Sequence, residues 1–599
     1  MEKIKNSRIY YFKWILNIYR EHKFFVFVLF LLTIFTTAVT TLYPLVFKFI
    51  IDALVENLEM FESGKASLDM AVKERNKLLL VLFGFGIGMI LTNIYPYLRG
   101  RMNMKLEITL RKIYFKSILN KSYRFFLKFR TGDIATRLTD DLSTHPPGIS
   151  WFLCSGIFRA FNSSFIILFC IISMMFLNLK LALLSIIPIP LMVMVYFKLE
   201  SIVEEKFSNY RDAVSKTNDF LESAYSGIKI IKSFNSEIKQ NVIFSEELDR
   251  RKIIETELLK TEGLFSIYFE FINYVCQLLV LLFGGIMVIK GEITIGTYIA
   301  FYSYLGMIVW PLLDIPHFFV RGTQALVTID RLDEISDFEK SYSDENQGSI
   351  ILGKADNVTF ENVCFNYVDN SENKTSDKTF HLNNINFSVK NGEKIAIVGK
   401  IGAGKTTLLN LLTGIYQPTS GNILINGKDI SLFDKNSFRE KLGFIQQTPT
   451  IISENVKTNI DFWRNSSDFI IKEAAQTAQF LDEIEKLPQK FDTTLGQNGI
   501  GLSGGQKQRL SIARALCGNP DILIMDDVTS ALDAENEMEF WQNLLEKNKN
   551  ITCIIVTHRL STAKNADRIF VLNHGQIEAT GTHEELLKIS RTYQELVAS

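Results

Sequence analysis

Two glycine-rich segments and the acidic end of an apolar run hold the residues of this sequence that could do chemistry. The first segment is Gly399-Lys-Ile-Gly-Ala-Gly-Lys405-Thr406, the second is Leu502-Ser-Gly-Gly-Gln506, and the run Ile522-Leu-Ile-Met525 ends in Asp526 and Asp527. Glycines let backbone N–H groups close around phosphate oxygens, and a lysine and a hydroxyl at this spacing can hold phosphates and Mg²⁺. The first segment therefore predicts a nucleotide site.

The residues around these segments predict how they are positioned. Ile395-Ala-Ile-Val398 is typical of a buried parallel strand, and Thr407-Leu-Leu-Asn-Leu-Leu after the loop favours a helix. A helix N-terminus beside such a loop attracts anions, because its dipole adds to the loop N–H groups. In that arrangement Lys405 supplies a point charge to the β- and γ-phosphates, Thr406 offers a hydroxyl to Mg²⁺, and Asp526 holds the water shell of the ion.

Further segments extend this pattern. Gln447 lies in Phe444-Ile-Gln-Gln447-Thr-Pro449, Ser530-Ala-Leu-Asp533 follows the acidic pair, and Val556-Thr-His558 comes later. With Leu502-Ser-Gly-Gly-Gln506 in this order and spacing, the sequence resembles the ATP-binding cassette (ABC) superfamily over roughly the last 260 residues. The resemblance implies ATP and Mg²⁺ as cofactors.

The resemblance also implies roles for individual residues. Catalytic roles fall on Lys405, Gln447, Asp527 and His558, and metal binding falls on Thr406, Gln447 and Asp526. Tyr367 matches the aromatic residue that stacks on adenine, with a tyrosine at a strand edge as the alternative. Contacts with ATP are expected from Tyr367, Gly399, Lys400, Ile401, Gly402, Ala403, Gly404, Lys405, Thr406, Thr407, Ser503, Gly504, Gly505, Gln506 and Asp533.

Asp527 departs from the family pattern, which has glutamate as the base that polarises the attacking water. Aspartate retracts the carboxylate by one methylene, roughly 1.5 Å, and a misplacement of about 1 Å can cost on the order of a hundredfold in rate. The ATP site on this chain's own phosphate loop is therefore expected to be slow. The alternative is a tolerated substitution in an ordinary active site.

The intact Leu502-Ser-Gly-Gly-Gln506 segment points to a partner, because in the family it acts across a dimer on the ATP of the other chain. Ser503 and Gly505 would then cap ATP held by a second ABC half-transporter. Together with Asp527, this resembles the degenerate-site subunit of heterodimeric bacterial multidrug exporters, which move small amphiphilic substrates. The alternatives are a homodimeric lipid or peptide exporter or flippase, and a nucleotide-gated regulator.

The first half of the sequence has the composition of a membrane protein. About 20 apolar residues span a bilayer, and long runs with few or no charges predict six spans surrounded by membrane lipid. We expect a membrane domain over 1–330, a linker over 331–355 and a cassette over 356–599. The fold class is then a six-helix all-α membrane domain followed by an α/β P-loop NTPase domain, as in the ABC exporter fold (type IV). The predicted spans are about 24–51, 78–98, 152–176, 181–198, 268–289 and 294–320.

Flanking charge predicts the orientation of these spans. Residues 1–23 carry six lysines and arginines against two glutamates, which places the N-terminus in the cytoplasm, and six spans return the chain there for the cassette. The protein is thus expected to be a multi-pass protein of the cytoplasmic (inner) membrane. Residues 9–20 could form an interfacial helix. Acidic and basic residues are equal in number, 65 each, without a basic patch, so nucleic acid is not an expected partner.

Polar residues within the spans are candidates for a substrate cavity. Glu270, Asn273 and Gln277 share a face of the fifth span, and Asp314 and His317 share a face of the sixth. Ionisable residues at membrane depth usually face a bundle interior or a water-filled path. Glu270 and Asp314 would then favour amphiphilic cations. The alternative is that these helices protrude into the cytoplasm, where the charges are solvated.

Overall fold

The computed structural model describes residues 8–63, 68–145, 148–338, 348–367, 381–496, 501–528, 539–542, 544 and 550–598. The chain forms two compact units. The first contains residues 1–117 and 131–337, and the second contains residues 118–130 and 338–599. The short segment 118–130, which the sequence places in a loop between membrane spans, thus belongs to the second unit.

The first unit is helical. Its helices are α1 (Arg8–Glu21), α2 (Lys23–Glu62), α3 (Leu68–Thr92), α4 (Ile94–Leu119), α6 (Thr131–Thr139), α7 (Ile149–Leu177), α8 (Leu179–Ile186), α9 (Pro188–Ser226), α10 (Ile228–Ser233), α11 (Glu237–Ile289) and α12 (Ile295–Asp337). Helix α5 (Tyr123–Lys128) belongs to the second unit. The expectation of an N-terminal domain of apolar membrane helices is confirmed.

Among the described residues, five helical stretches are long and apolar enough to cross a membrane. They are Lys23–Glu62, Val72–Leu119, Ile149–Leu177, Glu237–Ile289 and Ile295–Asp337. The segment of the predicted fourth span is divided between α8 and α9, because the helix is interrupted at Ile187, just before Pro188. Proline is favoured in the first turn of a helix, where its missing N–H costs nothing. The Asn178 side chain accepts a hydrogen bond from Leu181 N (3.0 Å) and caps α8.

The predicted interfacial segment is a helix, α1, and its aromatic side chains are tied to the end of α12. The Tyr11 hydroxyl donates to Asp330 Oδ1 at 2.9 Å, and the Tyr10 hydroxyl donates to Asp333 Oδ2 at 2.5 Å. Burial comes first among the causes that raise the pKa of Tyr11 to about 12, so its hydroxyl stays a donor at neutral pH. These bonds hold the first helix against the last one of the unit.

The second unit contains two sheets. The strands are β1 (Val358–Phe365), β2 (Leu382–Val389), β3 (Lys394–Val398), β4 (Ser420–Ile425), β5 (Lys428–Asp429), β6 (Leu442–Ile445), β7 (Ile522–Asp526), β8 (Thr552–Val556), β9 (Arg568–Asn573) and β10 (Gln576–Gly581). One sheet has the order β2-β1-β4-β5 and is antiparallel. The other has the order β10-β9-β3-β8-β7-β6 and is parallel from β9 to β6.

Helices of the second unit pack on separate hydrophobic clusters. Helix α13 (Lys405–Leu412) packs through its leucines into a cluster with both sheets. Helices α15 (Val456–Asp461), α16 (Asp468–Thr477) and α18 (Gly504–Cys517) pack into a second cluster with the edge of the parallel sheet. The remaining helices are α14 (Lys435–Glu440), α17 (Leu481–Glu485), α19 (Leu560–Lys564), α20 (His583–Ile589) and α21 (Arg591–Ala598).

Candidate functional site

Four neighbouring parallel strands bring the predicted site residues to one edge of the sheet. The phosphate loop follows β3, His558 follows β8, Asp526 ends β7 and Gln447 follows β6, and these strands are adjacent in the order β3-β8-β7-β6. Ligands of open parallel sheets bind at the carboxyl ends of the strands. Residues that are far apart in the sequence thus lie at the same edge of the parallel sheet.

The phosphate loop has a backbone that requires glycine. Gly404 has a φ of 101°, and a Cβ there would lie 2.7 Å from the Leu382 side chain. A Cβ on Gly399 would lie 2.2 Å from the Leu572 carbonyl oxygen. Gly402 has a φ of 82° with open space around it. Left-handed backbone and close approach of strands both select the residue without a Cβ.

Lys405 is the cation of this loop and is 7% exposed. Its Nζ donates to the carbonyl oxygens of Gly399 (2.8 Å) and Lys400 (2.9 Å), which arches the side chain back over the loop. Burial lowers the pKa of Lys405, and the nearby Asp526 and Asp527 carboxylates oppose that shift. The ammonium is therefore positioned beside the loop and in the field of both carboxylates.

Asp526 and Thr406 supply the oxygen atoms that suit a magnesium ion. The Asp526 carboxylate is buried and accepts a hydrogen bond from the Thr406 side chain. Burial raises the pKa of Asp526, and Asp527 adds to that shift, whereas Thr406 and Lys405 oppose it. A carboxylate and a hydroxyl in contact fit a hard cation that binds one or two protein oxygens beside phosphates.

Asp527 sits in a constrained position at the end of β7. Its backbone has a φ of 48°, its N–H donates to the Val556 carbonyl oxygen at 2.8 Å, and the residue is 9% exposed. The left-handed region is uncommon for residues other than glycine, although aspartate tolerates it better than most. The bond to Val556 fixes the Asp527 backbone to the strand that leads to His558, which is exposed.

Tyr367 lies against the helix of the phosphate loop. Its hydroxyl and the Thr407 Oγ1 atom are 2.8 Å apart, and its ring makes perpendicular contacts with Phe365, His381 and Tyr416. The side chain is 37% exposed, so part of the ring is open to a ligand. The sequence contained no signal for the contacts of His381 and Tyr416, because both come from distant segments.

Ser503 begins helix α18 and caps it. Its Oγ accepts from Gln506 N at 3.3 Å, and Gln506 Oε1 accepts from Ser503 N at 2.7 Å. This reciprocal arrangement is a capping box. A Cβ on Gly504 would meet nothing within 4 Å, and its backbone has no left-handed φ. Local structure therefore gives no steric or backbone reason for glycine at this position.

For two predicted site residues that the structure describes, it shows no contact that supports the predicted role. Gln447 is exposed beyond β6, and Gly505 is partly exposed in the first turn of α18. Asp533, predicted to contact ATP, lies outside the described residues.

The polar residues of the membrane helices are paired in a way the sequence did not predict. Asp314 Oδ1 lies 2.9 Å from Arg159 Nε, and Asp314 Oδ2 accepts from the Ser163 hydroxyl at 2.8 Å. The Asp314 charge is therefore balanced by an arginine, which weakens its expected attraction for cations. Glu270 is exposed on α11, and Gln277 donates to Asn273 at 3.4 Å.

The chain joins apolar helices long enough for a bilayer to a P-loop domain. That domain also has a second glycine-rich segment at the start of a helix. This combination defines an ATP-driven membrane transporter. The ABC transporter transmembrane region family matches residues 26–312, and the ABC transporter family matches residues 382–530. The uncharacterized ABC transporter ATP-binding protein YknU of Bacillus subtilis (strain 168) is 30% identical over 600 residues, covering 100% of this chain and 97% of that protein. The chain therefore belongs to the ABC transporter family.

Other relatives agree with this assignment. A Staphylococcus aureus (strain NCTC 8325 / PS 47) protein, named as a multidrug export ATP-binding/permease protein, is 32% identical over 592 residues, 97% of this chain and 98% of its own. The structure of a bacterial Atm1-family ABC exporter with ATP bound superposes with a TM-score of 0.78 at 24% identity, covering 96% of this chain and 98% of that chain. The chain has the exporter fold, with one membrane region fused to one cassette, and is an ATP hydrolase coupled to transport.

Proposed function

We propose that this chain is one half of an exporter that uses ATP to move small amphiphilic compounds out across the cytoplasmic membrane, beside a different half-transporter. The observation that carries the unequal pairing is Asp527. Its short carboxylate is held on a left-handed backbone that is hydrogen-bonded to Val556. Leu502-Ser-Gly-Gly-Gln506, here called the signature segment, keeps the capping box that starts α18 and the open space around Gly504. One chain thus combines a poorly placed base with an intact signature segment.

The ATP site of this chain is assigned to the phosphate loop and the strand ends beside it. The loop is formed by Gly399, Lys400, Ile401, Gly402, Ala403 and Gly404. Thr406 and Thr407 lie in the first turn of the helix whose dipole is proposed to face the phosphates. Lys405 adds a positive charge, which backbone dipoles replace poorly. Tyr367 is assigned to the adenine base, and Asp533 to a contact with ATP.

Magnesium is assigned to Thr406, Asp526 and Gln447. When bound, the ion neutralises charge on the β- and γ-phosphates. The contact between Thr406 and Asp526 supports this assignment, because it already places a hydroxyl and a carboxylate together at the strand edge. His558, beyond the neighbouring strand, is assigned to the γ-phosphate side of the site.

Asp527 is assigned as a base that reaches the attacking water poorly. A general base must lie within about 2.6–3.2 Å of the group whose proton it takes. The side chain is one methylene shorter than glutamate, and the buried, hydrogen-bonded backbone leaves the strand end little freedom to compensate. The site built on this chain's own loop is therefore the slow one of the pair.

Ser503, Gly504, Gly505 and Gln506 are assigned to the ATP held by the partner chain. At the start of α18, Ser503 and Gly504 are exposed, and the positive end of the helix dipole there suits a phosphate. The space around Gly504 supports close approach by a ligand from outside the chain. A single cassette therefore contributes its phosphate loop to one ATP site and its Leu502-Ser-Gly-Gly-Gln506 segment to the other.

The substrate path is assigned to the membrane helices. The relative named for multidrug export supports an amphiphilic substrate. Because Asp314 is paired with Arg159, any preference for cations rests on Glu270. The basic N-terminal residues support a cytoplasmic N-terminus and cassette, in the cytoplasmic membrane.

The pairing with a different chain can be tested on this chain alone. The full-length protein is purified in detergent or nanodiscs, and ATPase is measured for wild type, Asp527→Glu and Asp527→Ala. We expect low wild-type activity and little further loss in Asp527→Ala. Two copies of Asp527→Glu that meet head to tail combine the longer base with an intact Leu502-Ser-Gly-Gly-Gln506 segment, so their activity should be roughly tenfold higher or more, since glutamate recovers the missing reach.

Lys405→Ala in the Asp527→Glu background is the control, and it should abolish the gain. Vigorous wild-type ATPase that Asp527→Ala abolishes would instead support a homodimeric exporter with an ordinary base.

A further inference from the structure

A buried tyrosine lies between the proposed adenine contact and a short helix outside the nucleotide site. Tyr416 is 7% exposed, and its ring centroid lies 5.6 Å from that of Tyr367, with the rings nearly perpendicular at 88°. On its other side, the ring centroid of Tyr123 lies 5.8 Å away at 70°. Tyr123 begins α5, and all these residues belong to the second unit.

The Tyr416 backbone is fixed to the helix of the phosphate loop. Its N–H donates to the Asn410 carbonyl oxygen at 3.2 Å, and the N–H of Ile415 donates to the same oxygen at 3.0 Å. Gly414 permits this tight end of α13 with a φ of 68°. The ring of Tyr416 is therefore held by the same helix that begins at Lys405.

Tyr367 is held from several sides by rings, and two of them, Phe365 and Tyr416, are buried. Phe365 packs on both tyrosines, at 4.9 Å from the Tyr367 centroid and 5.2 Å from the Tyr416 centroid. Perpendicular and tilted ring pairs have preferred orientations, so they restrict rotation as well as position. The Tyr367 hydroxyl is meanwhile held by Thr407. The exposed part of the Tyr367 ring is thus presented in one fixed orientation.

We propose that Tyr416 is a positioning residue for ATP binding: it orients the Tyr367 ring for the adenine base and links that ring to helix α5 through Tyr123. This inference rests on the assignment of Tyr367 as the adenine contact. Tyr416 itself does not touch the nucleotide, since its ring is buried behind Tyr367 and Phe365. A displacement of α5 would therefore shift the Tyr367 ring through the ring of Tyr416.

The Tyr416 hydroxyl carries no charge in this position. Burial comes first among the causes that raise the pKa of Tyr416 to about 12, followed by the neighbouring Tyr367 and Tyr123. The phenol therefore stays protonated over the working pH range of the protein.

The test compares binding of ATP with binding of inorganic tripolyphosphate, which lacks the base. Both Kd values are measured by calorimetry on the full-length chain, with EDTA present to stop hydrolysis. Tyr416→Leu should raise the Kd for ATP about three- to tenfold and leave that for tripolyphosphate unchanged, because only ring contacts are lost. Tyr416→Phe keeps the rings and should stay within about twofold.

The link to α5 is tested in the same assay. Tyr123→Leu should raise the Kd for ATP about two- to threefold and add nothing in the Tyr416→Leu background. Phe126→Leu is the matched control, because Phe126 is a half-exposed ring of the same helix that packs on Phe125. It should bind ATP as wild type does.

Equal loss of ATP and tripolyphosphate binding in Tyr416→Leu would overturn the positioning role, since it would mean a damaged phosphate loop. Unchanged ATP binding in Tyr416→Leu, with weakened binding in Tyr367→Leu, would overturn it while leaving the adenine assignment intact. Unchanged ATP binding in both Tyr367→Leu and Lys405→Ala would instead reject the proposed nucleotide site. An additive effect of Tyr123→Leu and Tyr416→Leu would overturn the link to α5.

Discussion

The Asp527 N–H donates to the carbonyl oxygen of Val556 at 2.8 Å, and this bond ties the ends of two adjacent parallel strands together. One strand ends at Asp526, the carboxylate proposed for magnesium, and the other leads to His558. The backbone of Asp527, the proposed base, is thus anchored to the neighbouring strand. We propose that the length of its side chain therefore limits its reach to the attacking water.

Lys405→Ala should abolish high-affinity ATP binding to the full-length chain. The ammonium is held over the loop by the Gly399 and Lys400 carbonyl oxygens, and no backbone dipole replaces its charge. The change should raise the Kd for ATP on the order of a hundredfold or more. Lys428→Ala removes an exposed lysine from the other sheet of the same unit and should leave the Kd unchanged. Similar affinities for both variants would reject the phosphate-loop assignment.

Gly404→Ala and Gly504→Ala should separate folding from function. Gly404→Ala forces a Cβ against Leu382 at a φ of 101°, so it should destabilise the chain by about 1–3 kcal/mol. Gly504→Ala meets open space inside a helix, so the thermal midpoint should stay the same or rise. Its ATPase in the assembled transporter should nevertheless fall, because the methyl group enters the space assigned to the partner's nucleotide. A Gly504→Ala variant with full ATPase would argue against that space being used.

The Arg159–Asp314 pair should behave as a coupled unit. Arg159 and Asp314 side chains are 52% and 20% exposed, so screening keeps the cost of breaking the pair to about 1–2 kcal/mol. Asp314→Asn should lower the thermal midpoint, and adding Arg159→Gln should restore part of the loss. Lys206→Gln breaks an exposed pair with Glu257 and should change the midpoint little. Additive losses in the double variant would show that the two residues do not interact.

Substrate charge preference should depend on Glu270 more than on Asp314. Because Asp314 is already balanced by Arg159, Glu270→Gln should reduce transport of cationic dyes more than of neutral ones, by several-fold. Transport into inside-out vesicles with matched dyes measures this. Equal losses for both dye classes would remove any electrostatic role for Glu270.

Much of the nucleotide site could be predicted from sequence, because each motif is local and the strands that carry it are short apolar runs. Parallel strands place their carboxyl ends together, so Lys405, Asp526 and His558 had to converge. The capping box of Ser503 and Gln506 is also a local pattern. A serine followed three residues later by a glutamine predicts a helix start as well as forming part of a nucleotide motif.

The contacts that the sequence did not predict join distant segments. Arg159 and Asp314 pair across two helices whose relative rotation no local pattern specifies. The ring of Tyr416 meets those of Tyr123 and Tyr367 through packing of the whole second unit. The break before Pro188 also divides a run that looked like one continuous span. In each case the outcome depends on how distant segments pack in three dimensions and not on the residue types alone.

The central claim is that this chain supplies the slow ATP site and the intact signature of an unequal pair. A tag on this chain is used to purify it from its native membrane with whatever second half-transporter accompanies it, and steady-state ATPase is measured. Asp527→Ala should retain most of the activity. Ser503→Asp should lose most of it, because aspartate keeps the helix cap but repels the partner's phosphates. Equal loss in both variants, or copurification of this chain only with itself, would contradict the account.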